Sequence, residues 1–308
     1  MNIAVIGVGH LGKFHLSNLQ RLEDVRISGF QDINPVRAED IKSEFSLKSY
    51  DDLAPLLRDS DAAIIATPAT THYKIAKEVL DCGIDLFVEK PLCCSSEQAQ
   101  ELIDIAEGKN CILQVGHIER YNPIISKMKA MISEPRYLEF FRIAPFNIRG
   151  TDTSVVMDLM IHDIDLLLDI TGGESPERIV AHGASLFTDR YDLVKAHFSY
   201  SDGLWAELTA SRVSLEAKRR LRLFQRGMLL DLDLSKPSLR RVSVCMKDAL
   251  PSLSLEEIHI DMGNPLMDEL KDFVRHVRER SKPISSGLEG LKAIRLAEEV
   301  ICSLEKHS

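Results

Sequence analysis

The sequence lacks the features typical of secreted, membrane-spanning and nucleic-acid-binding proteins. Its six cysteines include no C-x-x-C pair and no metal-ligand spacing, which indicates reduced thiols. No basic segment of a signal peptide stands at the start, and acidic residues interrupt the most apolar long stretch. With 38 Lys and Arg against 47 Asp and Glu, the net charge is −9, opposite to that of most nucleic-acid binders. These absences predict a cytoplasmic globular protein.

One local basic stretch, Lys218-Arg219-Arg220-Leu221-Arg222, runs against the acidic balance. It could meet a phosphate. The other interpretation is a solvated strand edge, which the pattern favours because charged residues commonly protect such edges.

The order of the predicted elements divides the 308 residues into two domains, 1–118 and 119–308. Strand-like and helix-like segments alternate in the first, which predicts an α/β, doubly wound parallel sheet of the Rossmann type. In the second, short turns join consecutive strands, which predicts an α+β domain with a predominantly antiparallel sheet. Its predicted helices cover residues 122–132, 153–170, 264–280 and 287–306, and its strands cover 136–143, 179–187, 193–200, 204–213, 220–224 and 228–232.

A glycine-rich loop, Gly7-Val8-Gly9-His10-Leu11-Gly12, follows the apolar run at residues 2–6. It matches the G-x-G-x-x-G pattern that holds a dinucleotide pyrophosphate at a helix N-terminus. That pattern is weak alone, but here a predicted strand precedes it and a predicted helix follows. Asp32 ends the second predicted strand, about 20 residues on, where an acid accepts hydrogen bonds from the adenosine ribose. Its charge would repel a 2′-phosphate, which favours NAD over NADP.

Polar residues follow the later strands of the first domain, at Thr67-Pro68, Glu89-Lys90-Pro91 and Gly116-His117. The carboxyl ends of parallel strands converge on one crevice, where such folds bind ligands. An amine there, on Lys90, could lower the pKa of a substrate hydroxyl or exchange its proton as hydride leaves. From spacing alone, a surface lysine ending a strand is the simpler interpretation.

A second group of polar residues lies in the predicted helix 153–170. Asp158, His162 and Asp165 stand at i, i+4 and i+7 and so share one helical face, whereas Asp163 points elsewhere. A histidine between carboxylates is oriented for taking a hydroxyl proton. A structural polar pair is the alternative. The three residues match no zinc signature, so we predict no metal.

Taken in order, these motifs resemble those of the Gfo/Idh/MocA oxidoreductases, over essentially the whole chain. The resemblance implies a Rossmann domain, an α+β domain whose open sheet often forms oligomer contacts, catalytic roles for Lys90 and His162, and a substrate role for Asp158. Met160 replaces a glycine usual in the family's second motif. The predicted cofactor-binding residues are Gly7, Gly9, His10, Leu11, Gly12, Asp32, Thr67, Pro68, His72, Glu89, Lys90 and Arg120.

A narrower resemblance, carried by the segments 115–123 and 157–165, is to the UDP-N-acetylglucosamine 3-dehydrogenase branch. It implies oxidation of the sugar 3-hydroxyl to a ketone, which a partner aminotransferase converts to the 3-amino sugar of lipid A. Arg120 would then lie at the crevice; a salt bridge to Glu119 or to the following helix is the alternative. A homodimer or homotetramer is expected. A dehydrogenase of a free sugar or polyol such as inositol, and a non-catalytic NAD-binding sensor, remain as alternatives.

Overall fold

The computed structural model describes residues 1–147, 153–247 and 250–306. They form two compact units, Met1–Tyr121 with Asn264–Leu291, and Asn122–Gly263 with Lys292–Ser308. The first unit therefore takes in a C-terminal segment besides the predicted domain 1–118. This segment belongs to the first unit because its helix, Pro265–Glu279, packs into the core of that unit. Leu270 and Phe273 of the helix join the same core as Ile3 and Phe87.

The first unit contains the predicted doubly wound sheet, with five parallel strands in the order β2-β1-β3-β4-β5. Strands β3 and β4 are buried along their whole length, as expected for a parallel sheet covered on both faces. The strands are β1 Asn2–Ile6, β2 Arg26–Gln31, β3 Ala62–Ile65, β4 Asp85–Glu89 and β5 Leu113–Gly116.

The helices of this unit connect its strands, except for the 3₁₀ turn Ile118–Tyr121 and the helix Pro265–Glu279, which come after the last strand of the sheet. They are α1 His10–Leu19, α2 Pro35–Phe45, α3 Leu53–Arg58, α4 Ala69–Asp81, α5 Ser96–Gly108, the 3₁₀ turn Ile118–Tyr121 and α8 Pro265–Glu279. The sequence reasoning missed α2 and α3. A signal for α2 was present, because Asn34 caps the backbone N–H groups of Val36 and Arg37 and is followed by a proline at the first helical position.

The strand order places a topological switch between β1 and β3. The chain leaves β1 toward β2 on one side and later returns to β3 on the other. Ligands bind outside the carboxyl ends of the strands at such a switch. The fold thus places the glycine-rich loop and the segment that begins with Thr67 on either side of one crevice.

The second unit contains an eight-stranded sheet in the order β13-β12-β11-β10-β6-β9-β8-β7. All its neighbouring strands are antiparallel except β6 and β9, which are parallel. The strands are β6 Pro135–Pro145, β7 Arg178–Ala184, β8 Leu193–Ser199, β9 Trp205–Ser214, β10 Lys218–Gln225, β11 Met228–Asp233, β12 Ser238–Lys247 and β13 Leu250–Ile258.

The predicted α+β organisation is confirmed, but the last two strands were missed. The side chains of Val244, Met246, Leu253 and Leu255 on these strands are more than half exposed. Leu239 near the start of β12 is buried, but these four side chains lie outside the core, so strand pairing defines most of β12 and β13.

The helices of the second unit are α6 Pro123–Lys129, α7 Ile161–Ile170 and the C-terminal part of α9, which runs from Gly287 to Lys306. The predicted helix 153–170 is not α-helical throughout, because Val156–Met160 forms a π-helical turn before α7 begins. The sequence could not show this turn, because its wider spacing leaves no distinct pattern in one segment.

No helix of the described residues is both long and apolar enough to cross a membrane. Within the same residues, no three His, Cys, Asp or Glu side chains are grouped so as to hold a metal ion.

Candidate active site

The glycine-rich loop is so tight that two of its positions have no room for a side chain. Gly7 has φ +83°, and a Cβ atom there would lie 2.6 Å from Cγ2 of Thr67. A Cβ atom on Gly12 would lie 2.0 Å from the carbonyl oxygen of Gly7. These glycines let α1 begin directly against the loop and against the end of β3.

Above Gly9, in contrast, there is open space. A Cβ atom there would meet only Nη1 of Arg37, at 4.0 Å. Gly9 is the N-cap of α1, so the free amides and positive dipole end of the helix face this space. His10 and Leu11 begin the helix and are exposed beside the loop. The loop from Gly7 to Gly12, with the first amides of α1, therefore fits a dinucleotide pyrophosphate and is called the glycine cradle below.

Asp32 connects the end of β2 to this loop. One carboxylate oxygen accepts a hydrogen bond from the backbone N–H of Val8 at 2.9 Å, and the other accepts one from Asn34 at 2.8 Å. Arg37, which sequence reasoning missed, donates to the same carboxylate at 3.2 Å with Nη1. The ribose contact of Asp32 stays a prediction. Arg37 lies close enough to offset part of the repulsion that Asp32 would exert on a 2′-phosphate.

On the other side of the crevice, Thr67 and Pro68 precede α4, and Pro68 is its N-cap. His72 on this helix is buried, and its Nδ1 and Nε2 each lie 2.8 Å from a backbone carbonyl oxygen, of Pro91 and Thr67 respectively. Burial lowers the pKa of His72, against the opposing effect of these two carbonyl groups. The ring thus joins the ends of β3 and β4, and a contact between His72 and the cofactor stays a prediction.

Lys90 follows directly after β4 and is partly buried. The residue before it, Glu89, accepts a hydrogen bond from Nε2 of the buried His15 at 2.6 Å. Its second carboxylate oxygen lies 2.9 Å from where a Cβ atom on Gly116 would be. The segment around Lys90 is therefore closely packed, although the sequence analysis did not single out His15.

Arg120 lies on the 3₁₀ turn after β5. Its Nη1 donates a hydrogen bond to the backbone carbonyl of Ile284 at 3.1 Å. This contact ties the turn to the segment before α9. The predicted role of Arg120 at the cofactor stays a prediction.

In the second unit, Asp158 and His162 are partly exposed, whereas Asp163 and Asp165 are buried. The sequence analysis placed Asp163 away from the other three. The structure shows its partner, Arg142 on β6, whose guanidinium donates three hydrogen bonds of 2.8 to 3.0 Å to the carboxylate. This buried ion pair holds the helix beside His162.

The start of this helix is held by a second arginine. Arg212 donates a hydrogen bond to the carbonyl of Thr153 at 2.8 Å, and its Nε lies 3.8 Å from the carboxylate of Asp192. Burial alone would raise the pKa of Asp192, but the backbone N–H donors of residues 186–188 outweigh it and bring the pKa to about 2. Sequence reasoning missed Arg212 and Asp192 because they lie on β9 and just before β8, far from the helix along the chain.

The basic stretch at residues 218–222 lies in β10, which is an interior strand between β6 and β11. The interpretation as a solvated strand edge was therefore wrong. Arg220 pairs with Asp231 at 2.6 Å and Arg222 pairs with Glu139. Because carboxylates neutralise these charges within the sheet, the stretch is a poor phosphate site.

A glycine-rich loop at the switch point of a parallel sheet, with an acid at the end of the second strand, defines a dinucleotide-binding protein of the Rossmann type. Residues 1–117 match the "Oxidoreductase family, NAD-binding Rossmann fold", and residues 134–227 match the "GFO/IDH/MocA C-terminal domain". The chain belongs to the Gfo/Idh/MocA family. It is an NAD-dependent dehydrogenase that acts on CH–OH groups.

Individual relatives extend over the whole chain. The chain is 33% identical over 308 residues to UDP-N-acetylglucosamine 3-dehydrogenase of Acidithiobacillus ferrooxidans, covering 99% of this chain and 97% of that one. The solved structure of that enzyme superposes with a TM-score of 0.92, at 32% identity and 99% and 98% coverage. Myo-inositol 2-dehydrogenase of Thermotoga maritima is 23% identical, with 99% and 97% coverage.

Proposed function

We propose that the protein oxidises the 3-hydroxyl of UDP-N-acetylglucosamine to a ketone. The observation that carries this proposal is the full-length similarity to an enzyme named for that reaction, at 33% identity and a TM-score of 0.92. The residues that the chemistry needs are also present, with Lys90 at the end of β4 and Asp158 and His162 on one helical segment of the second unit.

We assign the cofactor to the crevice of the first unit. Bound NAD supplies the hydride acceptor. The amides that begin α1 would hold its pyrophosphate, and Asp32 would hold the adenosine ribose. Further along the crevice, the proposed contacts are with Thr67, Pro68, His72, Glu89, Lys90 and Arg120.

The residues of the chain would then handle the proton of the substrate hydroxyl. The two candidates for its acceptor are Nζ of Lys90 and the imidazole of His162. Asp158 would assist at the substrate. We leave open which of the two atoms takes the proton.

The test is NADH formation with UDP-N-acetylglucosamine, followed at 340 nm. We expect turnover by the wild type and losses of about 100-fold or more in Lys90→Ala and in His162→Ala, the range for a lost acid–base group. The matched controls, Lys109→Ala and His259→Ala, change exposed residues outside the proposed catalytic and cofactor-binding positions and should keep wild-type activity. Full activity in both active-site variants would remove the assignment of roles.

The second candidate is a dehydrogenase of a free sugar or polyol, which the similarity to the myo-inositol enzyme favours. Substrate profiling separates the two, because a preference for free inositol over UDP-sugars would defeat the first proposal. Tight NAD binding without turnover of any hydroxyl substrate would instead support a non-catalytic sensor.

We also propose that the product passes to an aminotransferase, because a ketone on a sugar is the substrate that such an enzyme converts to an amine. The reaction would be checked by adding an aminotransferase and an amino donor and detecting the 3-amino sugar by mass spectrometry. Accumulation of the ketone despite that addition would count against it.

A homo-oligomer formed through the eight-stranded sheet is the assembly we propose. One row of apolar side chains crosses six strands on the sheet face that carries Trp205, which is 46% exposed. Trp205 is the only tryptophan in the sequence, so the fluorescence emission of the protein should shift to the red when the oligomer is diluted to monomers. Light scattering that gives the mass of a monomer at every concentration would contradict the assembly. The row is Leu255, Val242, Leu229, Phe224, Tyr137 and Trp205.

A further inference from the structure

Lys90 stands between two residues that are each contacted by a buried histidine. His15 on α1 binds Glu89, and His72 on α4 lies against the carbonyl of Pro91. We infer that His15 is a positioning residue, which sets the place of Lys90 relative to the cofactor loop through its hydrogen bond to Glu89. This inference rests on the proposed role of Lys90 in the reaction.

The contact between His15 and Glu89 is buried on both sides. His15 has no exposed surface, and Glu89 is 9% exposed. The imidazole also packs edge-on against Phe87, with ring centroids 5.4 Å apart. Burying a carboxylate in such surroundings costs free energy unless it is hydrogen-bonded, and His15 supplies the donor.

The position of Glu89 is confined from a second direction. One carboxylate oxygen lies 2.9 Å from where a Cβ atom on Gly116 would be, so only a glycine leaves room for it at the end of β5. The carboxylate is therefore held between α1 and β5. Because Lys90 is the next residue, the fixed position of Glu89 also fixes where the backbone of Lys90 begins.

His15 also connects Lys90 to the loop that the pyrophosphate would occupy. It lies five residues after His10, the first residue of α1, which is about 7.5 Å along the helix axis. A single rigid helix thus carries both the phosphate cradle and the hydrogen bond to Glu89. On the opposite side, His72 joins Thr67 to Pro91 with two 2.8 Å contacts.

A positioning role predicts a particular kinetic defect. Displacing a catalytic group by about 1 Å can slow a reaction about 100-fold. Loss of His15 should therefore slow hydride transfer much more than it weakens cofactor binding, because the glycine cradle itself is unchanged.

The test compares His15→Ala, His15→Gln and the exposed control His259→Ala. Three quantities are measured: the single-turnover rate of NADH formation, the Kd of NADH by fluorescence, and the primary isotope effect with 3-deuterated substrate. In His15→Ala we expect a rate about 100-fold lower, a Kd of NADH within about threefold of wild type, and a larger isotope effect. His15→Gln keeps an N–H donor within reach of Glu89 and should recover most of the rate.

Two outcomes would overturn the inference. One is a rate in His15→Ala close to that of the wild type; the other is a defect in which rate and NADH affinity fall together and His15→Gln recovers neither. If the wild type does not oxidise UDP-N-acetylglucosamine, only the proposed substrate is wrong. The rates and isotope effects of the variants are then compared with those of the wild type on the sugar or polyol that it does oxidise.

A measurement without substrate keeps the inference testable in every case. Crystal structures of the wild type and of His15→Ala, each with NAD, should differ by about 1 Å in the position of Lys90. Superimposable Lys90 positions would contradict the positioning role.

Discussion

In the first unit the candidate site is formed largely by backbone, whereas in the second unit it is a helix held by ionic side chains. Gly7 and Gly12 leave no room for a Cβ atom, and the amides that begin α1 face open space above Gly9. The helix that carries His162 is instead held by Arg142 and Arg212, which reach it from separate strands. A backbone cradle can be recognised from a short motif, but a side-chain brace assembled from distant strands cannot.

The largest expected effect comes from breaking the buried ion pair between Arg142 and Asp163 in the second unit. Arg142→Met would leave the carboxylate of Asp163 buried and without this partner, which should lower the free energy of unfolding by about 3–5 kcal/mol. Both side chains are about 95% buried, with exposures of 4% and 5%. Urea denaturation followed by circular dichroism measures the loss.

The matched control is a more exposed ion pair that joins Asp169, near the end of α7, to α6. Lys129 binds Asp169 at 2.7 Å, but its side chain is 41% exposed, so Lys129→Ala should cost less than about 1 kcal/mol. Equal losses in the two variants would show that burial of the Arg142 pair does not matter to the stability of this unit.

A smaller loss of stability is expected when Gly12 of the first unit is replaced by alanine, and none when Gly9 is replaced. In Gly12→Ala the new methyl group would meet the carbonyl of Gly7 at 2.0 Å, and because backbone cannot move aside we expect about 3 kcal/mol of lost stability together with lost NADH binding. In Gly9→Ala the methyl group enters open space. Its melting temperature should stay unchanged, while NADH affinity falls roughly tenfold to hundredfold because the methyl group occupies the place of the pyrophosphate.

Differential scanning fluorimetry and NADH titration distinguish these two variants. If Gly9→Ala bound NADH as tightly as the wild type, the pyrophosphate would not lie above this residue, and the assignment of the cofactor to the cradle would fail.

The smallest expected effect concerns pH and the turn around Asp192. The folded-state pKa of Asp192 is about 2, below the ordinary value of 3.8. Its ionised form therefore stabilises the fold by about 2 kcal/mol above pH 3.8, and this contribution is lost as the pH falls through about 2. Asp192→Asn should thus be less stable than the wild type by about 2 kcal/mol at pH 6, and the difference should shrink below pH 3.8.

Urea denaturation between pH 6 and pH 2.5 measures this difference. Asp189→Asn, at an exposed position of the same turn, should match the wild type throughout. A constant difference between Asp192→Asn and the wild type across this pH range would be inconsistent with the lowered pKa.

Much of the fold was predictable from the sequence because its signals are local. Alternating segments indicated the parallel sheet, and short turns indicated the antiparallel one, both of which are confirmed. The strands β12 and β13 were missed, since apolar side chains such as Val244, Met246 and Leu253 are exposed and so do not mark a buried face. The π-helical turn before α7 was missed because one irregular turn does not change composition.

The sequence by itself determined the cofactor class, since a pyrophosphate cradle needs glycines at set positions and an acid after the next strand. It also marked Lys90, Asp158 and His162 as candidates for the chemistry. Only the tertiary structure showed that His15 reaches Glu89, that Arg142 pairs with Asp163, and that helix α8 completes the core of the first unit. These contacts join residues far apart along the chain, and their burial, which sets their energy, exists only once the chain has folded.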